Sequence, residues 1–391
     1  MRRVSERLAR LPGSVTMAIS GRARQLTAEG RQVISFGAGE PDFPTPEHIT
    51  AAAARAAHDP ANHHYTSNAG LPPVREAVAE YTRRFSGVEV DASEVVITNG
   101  AKQAVFQTFA ALVDPGDEVL MPSPYWVTYP AGIELFGGVP VPIETGVDAG
   151  FKVTADDLEA ARTPKTKLLV FVSPSNPTGA VYTADEARAI GEWAMENDVW
   201  VMADEIYQRL VYFTDVAPSI AGVTPRMENF VLVNGVAKSY AMTGWRVGWM
   251  VGPKDVIDAA ERHQSHATSN VANIAQCAAL AALTGSQETV DEMRRAFDSR
   301  RKLMFSLTSE IPGVTVSEPE GAFYLYPDVS EAIAGRFDSS ASLASALLEE
   351  AYVAVVPGES FGTPGYIRLS YATGEDEIRA GMERIAGFLA R

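Results

Sequence analysis

Residues 230–251 read FVLVNGVAKSYAMTGWRVGWMV, two apolar runs joined by a mixed stretch that carries one lysine. The runs Phe230–Val233 and Val247–Val251 are nearly continuous in apolar residues, a pattern typical of strands covered on both faces. Lys238 lies just past the first run, among small and apolar neighbours. The stretch therefore predicts two buried strands with a candidate functional lysine at the end of one of them.

The same alternation of apolar runs and helix-like stretches extends from about Asp91 to Met250. Five further strands are predicted, at Val95–Thr98, Glu118–Met121, Val139–Ile143, Leu168–Val172 and Trp200–Ala203. Helical patterns such as Lys102–Val113 and Thr183–Asn197 lie between them. The order predicts an α/β fold with a mostly parallel central sheet and helices on both faces. Ligands in such sheets bind at the carboxyl ends of the strands.

The last hundred or so residues have a different pattern. A long charged helix is predicted at Glu288–Glu310 and a shorter one near Ser342–Glu350. Strands are predicted near Val353–Val356 and at Tyr366–Tyr371, followed by a final helix. This part of the chain therefore predicts a smaller α+β lobe.

Composition narrows the class of protein. The 391 residues suffice for two lobes with sizeable cores. The net charge of −16 disfavours nucleic acid and anionic membranes as partners. The single cysteine, Cys277, excludes an intrachain disulfide and is expected to be a packed thiol. Because no apolar run reaches the ~18 residues of a membrane span and the first residues lack a secretory pattern, we expect a cytoplasmic protein.

Six short motifs contain residues that could take part in binding or catalysis. In chain order they are GEPDF at 39–43, NGAKQ at 99–103, SPSNPTG at 173–179, ADEIY at 203–207, KSYAMTGWR at 238–246 and IRLSY at 367–371. Each motif alone is weak, but the whole series resembles the class I aminotransferases of pyridoxal-phosphate (PLP) fold type I over essentially the whole chain. Within that family, the chain looks most similar to the bacterial aspartate aminotransferases.

The resemblance implies a domain organisation and an assembly. The large PLP-binding domain would span residues 44–285, and residues 1–43 and 286–391 would form a discontinuous small domain. Relatives of this fold type share active sites across a homodimer. Tyr65, which precedes the loop Thr66–Gly70, would then reach the phosphate site of a second subunit.

Four residues would hold and activate the cofactor, pyridoxal 5′-phosphate. The amine of Lys238 would form a Schiff base with the cofactor aldehyde and later carry a proton. Asp204 would place an anion beside the pyridine nitrogen, while Tyr207 and Asn176 would lie near the ring oxygen. A solvated lysine, a helix N-cap and an Asx turn are the non-catalytic alternatives for Lys238, Asp204 and Asn176.

The cofactor phosphate and ring face would be bound by a second group. Gly100, Ala101 and Lys102 begin a predicted helix, whose free N–H groups and dipole suit a phosphate. Arg246 would pair with the same phosphate, and Trp126 would stack on the pyridine ring. The alternative for Trp126 is core packing.

The substrate would be held by Arg368, whose planar fork suits an α-carboxylate, with a backbone donor from Gly39. Trp126 and Asn176 would line the same pocket. Lys102 is the candidate cation for a side-chain carboxylate, since an acidic side chain needs a second positive partner. Arg368 in a structural salt bridge and Lys102 as a solvated lysine are the alternatives.

The resemblance implies transamination of aspartate and 2-oxoglutarate to oxaloacetate and glutamate, in a ping-pong cycle through pyridoxamine phosphate. Aromatic, alanine or prephenate specificity and a fold-type-I lyase or synthase remain alternatives. Prephenate is disfavoured because Pro12 and Gly13 stand where some relatives carry a basic residue. A ligand-sensing domain without catalysis is a further alternative. The histidines lack metal-ligand spacing, so no metal is expected.

Overall fold

A seven-stranded sheet forms the centre of the larger lobe in the computed structural model, which describes residues 3–9, 11, 13 and 15–391. The strands of these residues are β1 (Ile34–Ser35), β2 (Val95–Thr98), β3 (Glu118–Ser123), β4 (Val139–Glu144), β5 (Thr166–Val172), β6 (Trp200–Asp204), β7 (Phe230–Gly235), β8 (Gly248–Val251), β9 (Tyr324–Leu325), β10 (Val353–Ala354), β11 (Val356–Pro357) and β12 (Ile367–Ser370).

Helices surround the sheet and build most of the smaller lobe. They are α1 (Glu6–Ala9), α2 (Val15–Ala28), α3 (Glu47–Ala57), α4 (Pro72–Tyr81), α5 (Ala101–Leu112), α6 (Thr128–Leu135), α7 (Ala155–Ala161), α8 (Ala184–Glu196), α9 (Ile220–Val223), α10 (Lys254–Ala267), α11 (Asn273–Thr284), α12 (Glu288–Ser309), α13 (Ser330–Ile333), α14 (Ser340–Glu350) and α15 (Glu375–Leu389). None of the helices in the described ranges is long and apolar enough to cross a membrane.

The strand order of the central sheet is β2-β8-β7-β6-β5-β3-β4. β8 pairs antiparallel with both β2 and β7, and the remaining pairs are parallel. The carboxyl ends of β2, β3, β5, β6 and β7 therefore meet at one edge. Because β8 runs in the opposite direction, the residues that precede it lie at that same edge.

The continuous apolar runs of the strands follow from burial on both faces. In β2, Val95 and Ile97 pack into the cluster formed with α3, α4 and α11, whereas Val96 packs against α5, α6 and α10. In β5, Leu169 and Leu168 divide between the two clusters in the same way. Alternate side chains thus enter two separate apolar layers, as expected for a sheet covered by helices.

The smaller lobe combines the two ends of the chain. β1 pairs parallel with β10, and the fully buried Phe36 shares a core with α12, α14 and α15. Gly381 on α15 makes room for this ring, because an added Cβ would lie 2.4 Å from Phe36 Cζ. The N-terminal segment therefore packs with the C-terminal part. The boundaries at 43/44 and 285/286 stay a prediction.

One predicted strand is wrong in detail. The run Val353–Val356 divides into β10, which pairs with β1, and β11, which pairs antiparallel with β12. Both pieces are buried, and so is Val355 between them. A run of apolar residues records burial but does not record which sheet buries it, so the sequence pattern merged two strands.

Candidate active site

Lys238 lies three residues beyond the end of β7, at the edge where the parallel strands end. Its Nζ donates a hydrogen bond to the Gly39 carbonyl and lies 5.8 Å from the Tyr207 ring centroid and 5.6 Å from that of Phe323. Burial, reinforced by the charge of Arg368, lowers the pKa of Lys238 to about 8. About a tenth of the amine is therefore neutral, and hence nucleophilic, at pH 7, and this fraction grows as the pH rises.

Asp204, the last residue of β6, is the neighbouring buried acidic side chain. It is 4% exposed, and its Oδ2 accepts a hydrogen bond of 2.8 Å from the Tyr129 hydroxyl. Its Oδ1 accepts from the Ile206 N–H at 3.2 Å. Asp204 is not a helix N-cap, because residues 206–209 form turns and no helix starts there. Burial raises the pKa of Asp204, while these two hydrogen bonds and the charge of Lys238 oppose the rise.

The start of α5 forms a cradle of positive character. Gly100, its N-cap, has φ 79° and ψ 161° and supplies no capping side chain. An added Cβ would lie 2.5 Å from Arg246 Nη2, so the glycine lets the guanidinium lie over the helix start. Gly248 also allows close packing at the start of α5, because an added Cβ would lie 2.4 Å from the Ala101 nitrogen. Free N–H groups and an arginine together suit a phosphate.

Arg368, in the middle of β12, brings the small lobe to this edge. It is 3% exposed, and its Nη1 donates to Asn176 Oδ1 at 2.9 Å. Its Nη2 donates to the Gly37 carbonyl at 3.0 Å, while its Nε is buried without a partner. Tyr324 and Phe361 lie beneath the guanidinium, with ring centroids at 4.3 Å and 5.2 Å. The structure records no ion pair from Arg368 to an acidic side chain of the described residues, so its charge is available to a carboxylate.

Lys102 and Trp126 form the remaining wall. Lys102 Nζ lies 4.8 Å from the Trp126 ring centroid. Desolvation and the nearby charge of Arg246 lower the pKa of Lys102. Trp126 in turn packs edge-on against Tyr129, with ring centroids 5.5 Å apart. Lys102 thus contacts Trp126, Trp126 contacts Tyr129, and Tyr129 contacts Asp204.

Two tyrosines were missed by the sequence reasoning. Tyr129 contacts Asp204, and the Tyr324 hydroxyl lies 2.9 Å from that of Tyr207 and beside Gly39. Tyr129 lies only three residues after the predicted site residue Trp126, and this short spacing could have indicated that it belongs to the site. Tyr207 therefore has a protein partner for its hydroxyl, and its approach to the cofactor stays a prediction.

Tyr65 differs from the other predicted site residues. Its side chain is 91% exposed in the single chain. The loop behind it is held firmly, because Thr66 Oγ1 donates to Asn273 Oδ1 at 2.7 Å. Gly70, with φ 109°, packs so closely on Ile97 that an added Cβ would lie 2.4 Å from it. The fold therefore presents Tyr65 outward on a rigid base.

These residues fit pyridoxal 5′-phosphate. The helix start with Arg246 offers a phosphate cradle, Asp204 a buried anion and Lys238 an amine of lowered pKa. The unpartnered Nε of Arg368 is a buried donor that a substrate carboxylate would satisfy. Within the described part of the chain, no group of three His, Cys, Asp or Glu side chains could hold a metal ion.

Comparison with known proteins places this arrangement among relatives. Residues 31–385 match the family described as aminotransferase class I and II. The aspartate aminotransferase of Streptomyces avermitilis is 54% identical over 100% of this chain and 97% of its own length. The aspartate aminotransferase of Rhizobium meliloti superposes with a TM-score of 0.95 at 38% identity, covering 100% of both chains. That of Thermus thermophilus with maleate superposes with a TM-score of 0.94 at 42% identity, covering 99% of this chain and 100% of that one.

Proposed function

The chain belongs to the class I and II aminotransferases, which use pyridoxal 5′-phosphate, and we propose that it transfers the amino group of aspartate to 2-oxoglutarate. The products would be oxaloacetate and glutamate. Both substrates carry two carboxylates, and the site offers two cationic side chains, Arg368 and Lys102. This pairing of charges is the observation that carries the proposal.

The Arg368 end of the site would bind the α-carboxylate. The guanidinium is fixed by Asn176 and Gly37 and keeps one buried N–H without a partner. A carboxylate there would satisfy that donor and neutralise a charge held in an apolar, aromatic setting. Because every amino acid has an α-carboxylate, this contact supports transamination in general.

The Lys102 end would bind the second carboxylate. An acidic side chain loses water on entering the site, so it needs a cationic partner. Two relatives support this specificity: the S. avermitilis protein is named an aspartate aminotransferase, and the T. thermophilus structure contains maleate, a dicarboxylate.

The proposed mechanism assigns a task to each side chain. When bound, the cofactor supplies an electron sink for charge that develops at the substrate α-carbon. Lys238 Nζ would hold the cofactor and then move a proton between the α-carbon and the cofactor C4′ carbon. Asp204 would hold a proton on the ring nitrogen. Arg246 and the α5 N-terminus would bind the phosphate, and Trp126 would cover the ring.

We further propose that the active unit is a homodimer. The outward position of Tyr65 on its rigid loop supports a contact with a second copy. Cytoplasmic location also stays a prediction.

A substrate panel tests the proposed reaction. The purified enzyme should show a kcat/KM for aspartate at least ~10-fold above the values for alanine and phenylalanine, because the Lys102 contact is charge-assisted. Lys238→Ala should lower the activity at least ~10²–10⁴-fold. It should also abolish the visible absorption of the lysine-bound cofactor. Equal use of alanine would contradict the aspartate assignment.

Two alternatives have their own tests. With prephenate as amino acceptor, activity should stay well below that with 2-oxoglutarate; Pro12, which motivates this, lies outside the described residues. A lyase would release its product without leaving the amino group on the cofactor. A single half-reaction with aspartate, followed by absorbance, distinguishes the two chemistries.

A further inference from the structure

Tyr129 is the closest polar side-chain neighbour of Asp204 recorded in the structure, with 2.8 Å between its hydroxyl and Asp204 Oδ2. The tyrosine is 1% exposed and lies at the start of α6. Burial and the charge of Asp204 raise the pKa of Tyr129 well above its ordinary value, so the hydroxyl keeps its proton and acts as the donor.

The carboxylate of Asp204 depends on such donors. It is 4% exposed, and no ion pair to it is recorded within the described residues. Its hydrogen bonds come from two neutral donors, the Tyr129 hydroxyl and the Ile206 N–H, which stabilise its charged form together with the nearby charge of Lys238. A buried carboxylate that loses a hydrogen bond becomes a stronger base.

A stronger base would be harmful at this position. In the proposed function, Asp204 is the anion beside the ring nitrogen, and one proton lies between the two groups. If Asp204 binds that proton more tightly, the ring nitrogen loses it, and the ring withdraws electrons less strongly.

We propose that Tyr129 is a positioning residue that weakens Asp204 as a base and thereby keeps the proton on the cofactor ring nitrogen. The Tyr129 ring also packs edge-on against Trp126, with 5.5 Å between the ring centroids. The same side chain therefore supports the tryptophan that would cover the cofactor ring. This inference rests on the proposed cofactor role of Asp204, and it is independent of which amino acid is the substrate.

The direct test is ¹⁵N NMR of the holoenzyme loaded with PLP labelled at the ring nitrogen. In the wild-type enzyme at pH 7.5, the nitrogen should resonate in the protonated range. In Tyr129→Phe, which removes only the hydroxyl, the signal should move toward the unprotonated range. An unprotonated nitrogen in the wild type, or an unchanged shift in a folded Tyr129→Phe holoenzyme, would overturn the proposal.

Tyr182→Phe is a matched control. Tyr182 is also buried, at 4% exposure, but its recorded hydrogen bond is to the backbone: its hydroxyl accepts from the Val153 N–H at 2.9 Å. The control should cost stability without moving the ring-nitrogen signal. A shift of equal size in both variants would mean that loss of packing, and not the hydrogen bond, moves the proton.

Kinetics supply the second readout. Tyr129→Phe should lower kcat for aspartate about 10- to 100-fold, the range of a hydrogen bond to a charged group, with KM changed less than about threefold. In an Asp204→Asn background, the same substitution should have much less effect, since no carboxylate remains to be tuned. Multiplicative effects of the two substitutions would overturn the coupling. Because the NMR readout needs no substrate, a wrong aspartate assignment would leave that result unchanged.

Discussion

Lys238 and Asp204 are ionisable side chains in the same poorly solvated site, and burial moves their pKa values in opposite directions. Desolvation disfavours both charged forms, so the pKa of Lys238 falls to about 8 while that of Asp204 rises. Hydrogen bonds from Tyr129 and Ile206 oppose the rise in the pKa of Asp204. The local environment therefore makes the Lys238 amine easier to deprotonate and partly compensates the desolvation of the Asp204 carboxylate.

Lys102 tests the substrate assignment at the residue scale. Lys102→Ala should lower kcat/KM for aspartate and 2-oxoglutarate about 10- to 100-fold, because a charge-assisted hydrogen bond is lost. Alanine and phenylalanine, which would use only the Arg368 contact, should change much less. Steady-state kinetics with each substrate measure this. Equal losses for aspartate and alanine would assign Lys102 to the cofactor or the fold.

Glu205 gives a pH-dependent prediction. Its side chain is 3% exposed and accepts from Ser86 Oγ at 3.0 Å, and burial raises its pKa to about 7. Between its ordinary pKa of 4.5 and about 7, the folded state binds more protons than the unfolded state. The contribution of Glu205 to stability is therefore full below pH 4.5 and is lost as the pH rises through 7.

Glu205→Gln should remove this contribution to the pH dependence, which amounts to about 3 kcal/mol for a shift of this size. Urea unfolding of the holoenzyme at pH 5.5 and pH 8, at constant protein and cofactor concentration, should show about 2 kcal/mol of this change, because part of it is already lost at pH 5.5. The variant should gain stability relative to the wild type at pH 8. Parallel stability profiles for the two proteins would show that Glu205 does not titrate in this window.

At the scale of elements, the junction between β2 and α5 forms the proposed phosphate cradle. The backbone of Gly100 lies in a region that other residues rarely adopt, and Arg246, itself at φ 57°, lies against it. The antiparallel direction of β8 brings Arg246 to this edge. The cradle thus depends on two strands of opposite direction and one unprotected helix end.

Gly100→Ala should disrupt this junction. The added Cβ would strain the backbone and displace Arg246, so we expect the Kd for PLP to rise about 5- to 150-fold, the range that corresponds to a strain of about 1–3 kcal/mol. Fluorescence titration of the apoenzyme measures the affinity. Gly116→Ala is the matched control, because Gly116 has φ 95° but its Cβ would meet nothing within 4 Å. Equal losses in both variants would refute a specific role for the cradle.

For the whole molecule, two lobes and a second subunit are expected to complete the site. Arg368 comes from the small lobe and bonds to Asn176 of the large lobe, so the substrate would lie between the lobes. Tyr65 faces outward, at 91% exposure, and would need a partner to act. The assembly is therefore expected to matter for catalysis.

Subunit mixing tests the shared site. Tyr65→Ala and Lys238→Ala should each have low activity alone. If Tyr65 serves the other subunit, a mixed dimer contains one intact site, and random 1:1 mixing should restore ~25% of the wild-type activity. No gain on mixing, or a fully active monomer in size-exclusion chromatography, would contradict the proposal.

The sequence by itself determined the seven strands of the central sheet, the helices between them and the position of Lys238 after β7. These features depend on local patterns, because a strand buried on both faces must be apolar along its length. The order of six motifs also led to the correct family. These patterns involve residues that are close in the sequence, so they can be recognised without knowledge of the tertiary packing.

Only the tertiary structure decided which distant side chains meet. Asn176 and Arg368 are 192 residues apart, and Tyr129 and Asp204 are 75 apart. The antiparallel direction of β8 and the division of Val353–Val356 between two sheets were likewise invisible in the pattern. An apolar run states that a segment is buried, and a polar residue that it needs a partner. Which segment covers the run and which atom satisfies the donor are decided when the whole chain packs.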